Sequence, residues 1–160
     1  MEIVVRFIER GGWWVIAQIL LFGLYALAML GTEGITEGIG LDFARLVGIG
    51  MVVVAVIIGT WSFVVLGRNL TIYPFPVHEA TLTDRGPYRL VRHPIYLAVI
   101  VGGVGLALAW LNTAGVLVAL VFIPFFSAKT GFEEDGLVEH VPGYREYRSA
   151  IPYRIIPWVM

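Results

Sequence analysis

Residues 94–128 read PIYLAVIVGGVGLALAWLNTAGVLVALVFIPFFSA, and no Asp, Glu, Lys or Arg interrupts them. A stretch this apolar offers water almost nothing, and as helix it is too long for one crossing of a ~30 Å hydrocarbon core. Asn112-Thr113 near its middle is a turn signal. The stretch therefore divides into two short antiparallel helices, 94–111 and 113–128, each near the ~17-residue lower limit for a span. Pro94 suits a first-turn position, where its missing N–H costs no hydrogen bond.

Two more apolar runs precede it, 12–30 and 46–67. Each is close to the ~20 residues that cross a bilayer as helix. Together the four runs predict an all-α, polytopic membrane protein with about four transmembrane helices and a cytoplasmic C-terminal helical segment, in one domain, 1–160.

Composition agrees. Hydrophobic residues make up 58% and charged residues 14% of the chain, and mean hydropathy is +0.82. A soluble domain is roughly 45–50% apolar and needs more polar side chains to cover its surface. A net charge of −1 argues against an electrostatic nucleic-acid binder. Cysteine is absent, which excludes disulfides, thiolate metal sites and cysteine nucleophiles. No small-residue cleavage site closes the first apolar run, so no cleavable signal peptide is expected. His78 and His140 lack ligand-like spacing, and no metal is expected.

The basic residues set an orientation. With four crossings, Arg6 and Arg10, then Arg68, Arg85, Arg89 and Arg92, then Lys129, Arg145, Arg148 and Arg154 all fall on one side. Only Arg45 falls on the other, beside Glu33, Glu37 and Asp42. The positive-inside rule puts both termini and the 67–93 loop in the cytoplasm. Residues 31–45 form an external loop with no assigned chemistry. Tyr73-Pro74-Phe75-Pro76 reads as extended chain, and Asn69-Leu70-Thr71 is a sequon expected to be a false positive on that side.

Two polar constellations flank the last apolar run on that same face. Before it come Tyr88, Arg92, His93, Pro94 and Tyr96. Tyr96 lies three residues after His93, so both project from one face of the helix start, where free N–H groups and a partial positive charge favour an anionic or hydroxyl-bearing ligand. After it, Lys129, Glu133 and Leu137 recur at i, i+4 and share a face if this region is helical. Glu133 can bind an ammonium group or pair with an arginine. Asp135 and Glu139 read as a solvated acidic run. Tyr144 and Tyr147 read either as an interfacial aromatic belt or as walls of a site. Gly103-Val104-Gly105 reads as close helix packing.

The run Leu82-Thr83-Asp84-Arg85-Gly86-Pro87-Tyr88-Arg89-Leu90-Val91-Arg92-His93-Pro94-Ile95-Tyr96 resembles the signature L-x-x-x-G-x-Y-x-x-x-R-H-P-x-Y. With Glu133-Glu134-x-x-Leu137, Gly143-Tyr144-x-x-Tyr147 and Ile151-Pro152, it resembles the isoprenylcysteine carboxyl methyltransferase and phospholipid methyltransferase superfamily of integral membrane enzymes. The resemblance covers roughly residues 67–157. It implies S-adenosylmethionine as cofactor, with Thr81, Leu82, Thr83, Tyr88, His93, Pro94, Ile95, Tyr96 and Glu133 as its binding residues. It implies a catalytic role for Lys129, where carboxyl-methylating members carry an arginine for the substrate carboxylate. Lysine keeps the charge and loses the bidentate fork. A second departure is Ala80, where those members tend to have histidine. In phospholipid methyltransferases a G-x-G also contributes to the cofactor site, which gives Gly103 and Gly105 a second reading.

The implied activity is methyl transfer at the cytoplasmic membrane face to a lipophilic or prenylated acceptor among membrane lipids, with carboxyl O-methylation as the leading reaction. Phospholipid N-methylation is the alternative. An NADPH-dependent membrane reductase and a non-enzymatic scaffold are more distant readings.

Overall fold

The computed structural model describes residues 11–35, 38, 40–71, 73 and 80–159. Arg6, Arg10, Glu37, Pro74, Phe75, Pro76 and His78 lie outside the described residues. Every regular element among the described residues is helical, as expected. Helix α1 spans Gly12–Gly31 and α2 spans Leu41–Leu66. Short 3₁₀ turns follow at Gly67–Asn69 and Gly86–Arg89. Helix α3 spans Pro94–Ala109, α4 Thr113–His140 and α5 Tyr144–Ala150.

Among the described residues, three helices are long and apolar enough to cross a membrane: α1, α2 with the turn that follows it, and α4. Their outward faces leave Leu27, Leu46, Val56 and Val64 exposed. In water that arrangement would be costly, and in lipid it is the favourable one. Helix α3, at 16 residues, is shorter than the other three and lies between α2 and α4.

The α2–α3 seam is made of small residues, which let two backbones approach closely. A Cβ added at Gly105 would lie 2.7 Å from the Met51 Cβ and 2.9 Å from the Gly48 carbonyl oxygen. One added at Gly103 would meet the Phe122 ring at 2.8 Å. The Gly103 carbonyl also accepts a hydrogen bond of 2.7 Å from Tyr25. Gly103-Val104-Gly105 therefore packs α3 against its neighbours.

Asn112 makes the turn that the sequence predicts. Its side chain caps α4 by accepting from the Gly115 N–H at 2.7 Å. The same side chain donates to the Thr32 carbonyl at 3.0 Å, and the Thr32 hydroxyl donates back to it at 3.1 Å. The α3–α4 turn and the end of α1 are thus fastened together.

Two boundaries differ from expectation. Helix α2 begins at Leu41, earlier than residue 46, because Asp42 sits in its positively polarised first turn and pairs with Arg45 at 3.7 Å. Helix α4 does not stop at residue 128 and continues to His140. In the polar stretch after Ala128, Lys129, Glu133 and Glu134 find partners in the site below, while Asp135 and Glu139 are exposed. The C-terminal segment returns across the start of α3: Arg92 N–H donates to the Tyr153 carbonyl at 3.0 Å and His93 N–H to the Arg154 carbonyl at 2.8 Å. Ile155 is buried against Ile100, Phe122 and Phe126.

Candidate active site

Pro94 starts α3, and His93 and Tyr96 project from one face of that start. Their rings stack with centroids 5.7 Å apart, and Tyr96 stacks in turn on Phe126 at 4.6 Å. The Tyr96 hydroxyl donates to Glu133 at 3.0 Å. The His93 ring lies between two carboxylates, with Nε2 at 3.2 Å from Glu134 and Nδ1 at 4.0 Å from Glu133.

Glu134 turns the other way from Glu133, since consecutive helical residues are rotated by about 100°. It is buried, accepts from Arg92 Nε at 2.7 Å and Nη2 at 3.3 Å, and has Arg154 at 3.4 Å and Arg148 at 3.6 Å. Arg92 also donates to the carbonyls of Ile151 and Pro152 at 2.6 and 2.9 Å. A buried arginine–carboxylate pair is tolerated only when its remaining donors and lone pairs are satisfied, and here they are. This cluster clamps α3, α4 and the C-terminal segment together. Sequence reasoning gave Glu134 no role of its own. The arginine pairing that it left open for Glu133 belongs to Glu134.

The segment 81–83 is held by Asn69, which the sequence offered only as a sequon. Its amide donates to the Thr81 carbonyl at 2.7 Å and the Thr83 hydroxyl at 3.0 Å, and accepts from the Thr81 N–H at 3.2 Å. Gly86, in the signature, takes φ +59°, and a Cβ there would press on the Trp61 indole at 3.1 Å. Glycine alone fits this turn without strain. The turn sets Tyr88 under α5, where Tyr147 donates to the Tyr88 carbonyl at 2.7 Å.

These elements enclose a cavity of about 510 Å³, within the range of small-molecule sites. Thr81, Leu82, Thr83, Tyr88, His93, Ile95, Tyr96, Lys129 and Glu133 all line it. Pro94 does not line it; it is buried at the first position of α3. Leu137, Tyr144 and Tyr147 complete that wall, while Gly103 and Gly105 are not among the lining residues. Burial pushes the phenols of Tyr88, Tyr144 and Tyr147 far above their usual range, with nearby carboxylates adding to the effect at Tyr88 and Tyr144. All three are neutral at physiological pH. The Tyr144 hydroxyl is buried without a hydrogen-bond partner among the described residues.

The membrane helices supply further lining: Val15, Gln18, Ile19 and Phe22 of α1, and Leu66 at the end of α2. Lys129 lines the cavity as well, donating to the Gln18 side chain and lying 5.2 Å above the Tyr96 ring. The cavity thus combines polar and aromatic side chains with apolar ones from the membrane helices. That arrangement can bring a water-soluble ligand against a lipid-like one.

The family model for phospholipid methyltransferases matches residues 43–141. The matched stretch takes in α2, α3 and α4, with His93, Tyr96, Lys129, Glu133 and Glu134, and leaves out α1, α5 and the C-terminal segment. No individual curated protein matches the chain.

Proposed function

Since the chain belongs to the phospholipid methyltransferase family, with three helices of membrane-crossing length, we propose that this membrane methyltransferase uses S-adenosylmethionine to methylate a lipid-like acceptor, with the transfer centred in the cavity between α1, α3 and α4. The observation that carries the reading is the convergence of Thr81–Thr83, His93, Tyr96, Glu133 and Tyr144 on that one cavity.

The residues fit the cofactor. The orphaned Tyr144 hydroxyl is a buried polar atom in need of a partner. Glu133 offers a carboxylate to an ammonium group, and the cavity-lining His93 ring, backed by Tyr96, offers aromatic surface to an adenine or a sulfonium. Thr81, Leu82 and Thr83, fastened by Asn69, would edge the ligand; Tyr88 and Ile95 would close it off from water. Pro94 would act by fixing the start of α3, which aims His93 and Tyr96.

S-adenosylmethionine, when bound, supplies an electrophilic methyl group that an acceptor lone pair takes as the carbon–sulfur bond breaks, the bonding pair returning to sulfur. The protein's part is positioning: holding the reacting atoms about 3–3.5 Å apart in a dry site. Lys129 is the catalytic residue in this reading, because it holds the acceptor's anionic group. Transfer to a carboxylate cancels charge and releases no proton, so exclusion of water favours it and no base is needed. This supports carboxyl O-methylation. The family's phospholipid name and the Glu133 carboxylate favour a second reading, N-methylation of a phospholipid amine, in which one proton must leave the nitrogen. The arginines at the site's end of the bundle, Arg68, Arg85, Arg89, Arg145 and Arg148, support a cytoplasmic active site under the positive-inside rule.

A ligand titration in detergent tests the reading. S-adenosylhomocysteine at a hundredfold excess over its dissociation constant should stabilise the protein by about 2.7 kcal/mol. Stabilisation by NADPH in its place would overturn the reading in favour of a reductase. Radiolabelled methyl donor with lipid extracts then identifies the acceptor and separates O- from N-methylation.

A further inference from the structure

Gln18 is the only amide or charged residue in α1, a helix otherwise built of aliphatic, aromatic and small side chains. An amide in a lipid-crossing helix costs free energy unless it is bonded, and such residues mark sites more often than packing. Gln18 is bonded, and its partner is Lys129. Lys129 in turn is 2% exposed. Among the described residues no carboxylate lies within salt-bridge distance of its ammonium; its contacts are the neutral Gln18 oxygen and the face of Tyr96. Of the carboxylates nearby, Glu134 is engaged by Arg92 and His93, while Glu133, one turn along α4, accepts from Tyr96 and acts on Lys129 through its charge without a direct hydrogen bond. An ammonium has three donors, and here one neutral acceptor takes a single one of them.

The surroundings say from where compensation arrives. Helix α1 packs chiefly on α4. Ile19, next to Gln18 in α1, also lines the cavity and is 64% exposed. The Gln18–Lys129 contact therefore stands in the cavity wall beside an exposed apolar side chain of a helix long enough to cross a membrane.

Building on the methyltransferase reading, we propose that Gln18 is a specificity-determining residue: it holds Lys129 in place and yields it to the anionic group of an acceptor lipid, carboxylate or phosphate, when that lipid binds. An anion bonds an ammonium more strongly than an amide oxygen does, so the exchange runs towards the acceptor. The amide then keeps a use, because its NH₂ can donate to the same anion. Gln18 lies outside the stretch that matches the family, 43–141.

The test uses the full-length protein in detergent with saturating S-adenosylhomocysteine, and three probe lipids: oleate, lysophosphatidate and oleylamine. Wild type should bind one or both anionic probes and not oleylamine; which anion binds more tightly tells a carboxylate acceptor from a phosphate-bearing one. Gln18→Glu places a permanent anion against Lys129 and should weaken anion binding at least tenfold. Gln18→Leu removes both the hold on Lys129 and the donor to the bound anion, and should weaken anion binding about threefold to tenfold. Anion affinity equal to wild type in either variant would overturn the proposal. S-adenosylhomocysteine affinity should be unchanged in both variants. If wild type itself fails to bind that nucleoside, the methyltransferase reading falls; if it binds and lipid selectivity ignores residue 18, only this inference does.

Discussion

Arg92 Nε lies 2.7 Å from Glu134 Oε1, with the two side chains 5% and 1% exposed. The pair sits at the junction of α3, α4 and the C-terminal segment, so it holds the polar wall of the cavity in shape. Removing one partner leaves the other as an uncompensated buried charge. Glu134→Gln should therefore lower unfolding stability by about 3–5 kcal/mol. Replacing both residues by leucine should cost less than the sum of Arg92→Leu and Glu134→Leu. Melting of wild type, Glu134→Gln, the two single leucine variants and the double variant in detergent checks both; additive losses would show that the two side chains act independently.

Glu133 points into the cavity and accepts only from Tyr96 among the described residues. Glu133→Gln should keep melting within a few degrees of wild type. Its affinity for S-adenosylhomocysteine should drop by about 1.5–3 kcal/mol, the range for a hydrogen bond to a charged group. Calorimetric titration separates the two effects. Wild-type affinity in this variant would remove Glu133 from the proposed cofactor wall.

Tyr144→Phe deletes a buried hydroxyl that has no partner. Without ligand the variant should be as stable as wild type or more so. With ligand it should bind S-adenosylhomocysteine about 0.5–1.5 kcal/mol more weakly, the net worth of one neutral hydrogen bond. A loss of ligand-free stability would mean that the hydroxyl serves the fold.

Asn69→Asp keeps an acceptor for the Thr81 N–H and loses both donations, to the Thr81 carbonyl and the Thr83 hydroxyl. Segment 81–83 should loosen, and affinity for S-adenosylhomocysteine should fall by about 1 kcal/mol or more. Faster proteolysis within 70–83 is the companion readout; unchanged binding and unchanged cleavage together would show that the fastening is irrelevant to the site.

Gly105→Ala should lower stability by about 1–3 kcal/mol, because its methyl would press on Met51 and the Gly48 backbone. The folded fraction should bind S-adenosylhomocysteine as wild type does. A selective loss of binding would return the glycine pair to a cofactor role.

Much of this was legible in the chain. An uncharged run with Asn112 at its centre can only be a hairpin of apolar helices, and the i, i+3 pair His93–Tyr96 and the i, i+4 series Lys129, Glu133, Leu137 necessarily share helical faces. The residues missed have a common cause. Glu134 looks like Glu133 in a list of letters. Asn69 reads as a sequon until Thr81 and Thr83 come beside it. Gln18 was a lone polar residue in an apolar span, a signal that could have been read, but its partner is on another helix.

Periodicity and apolar length are local properties, so the chain by itself determined that it is helical, roughly where its apolar helices lie and which side chains share a face. Which carboxylate closes an arginine cluster and which faces a ligand depends on what packs across from each. That was decided only when α1, α3, α4 and the C-terminal segment met, because burial and charge pairing arise between elements distant in sequence.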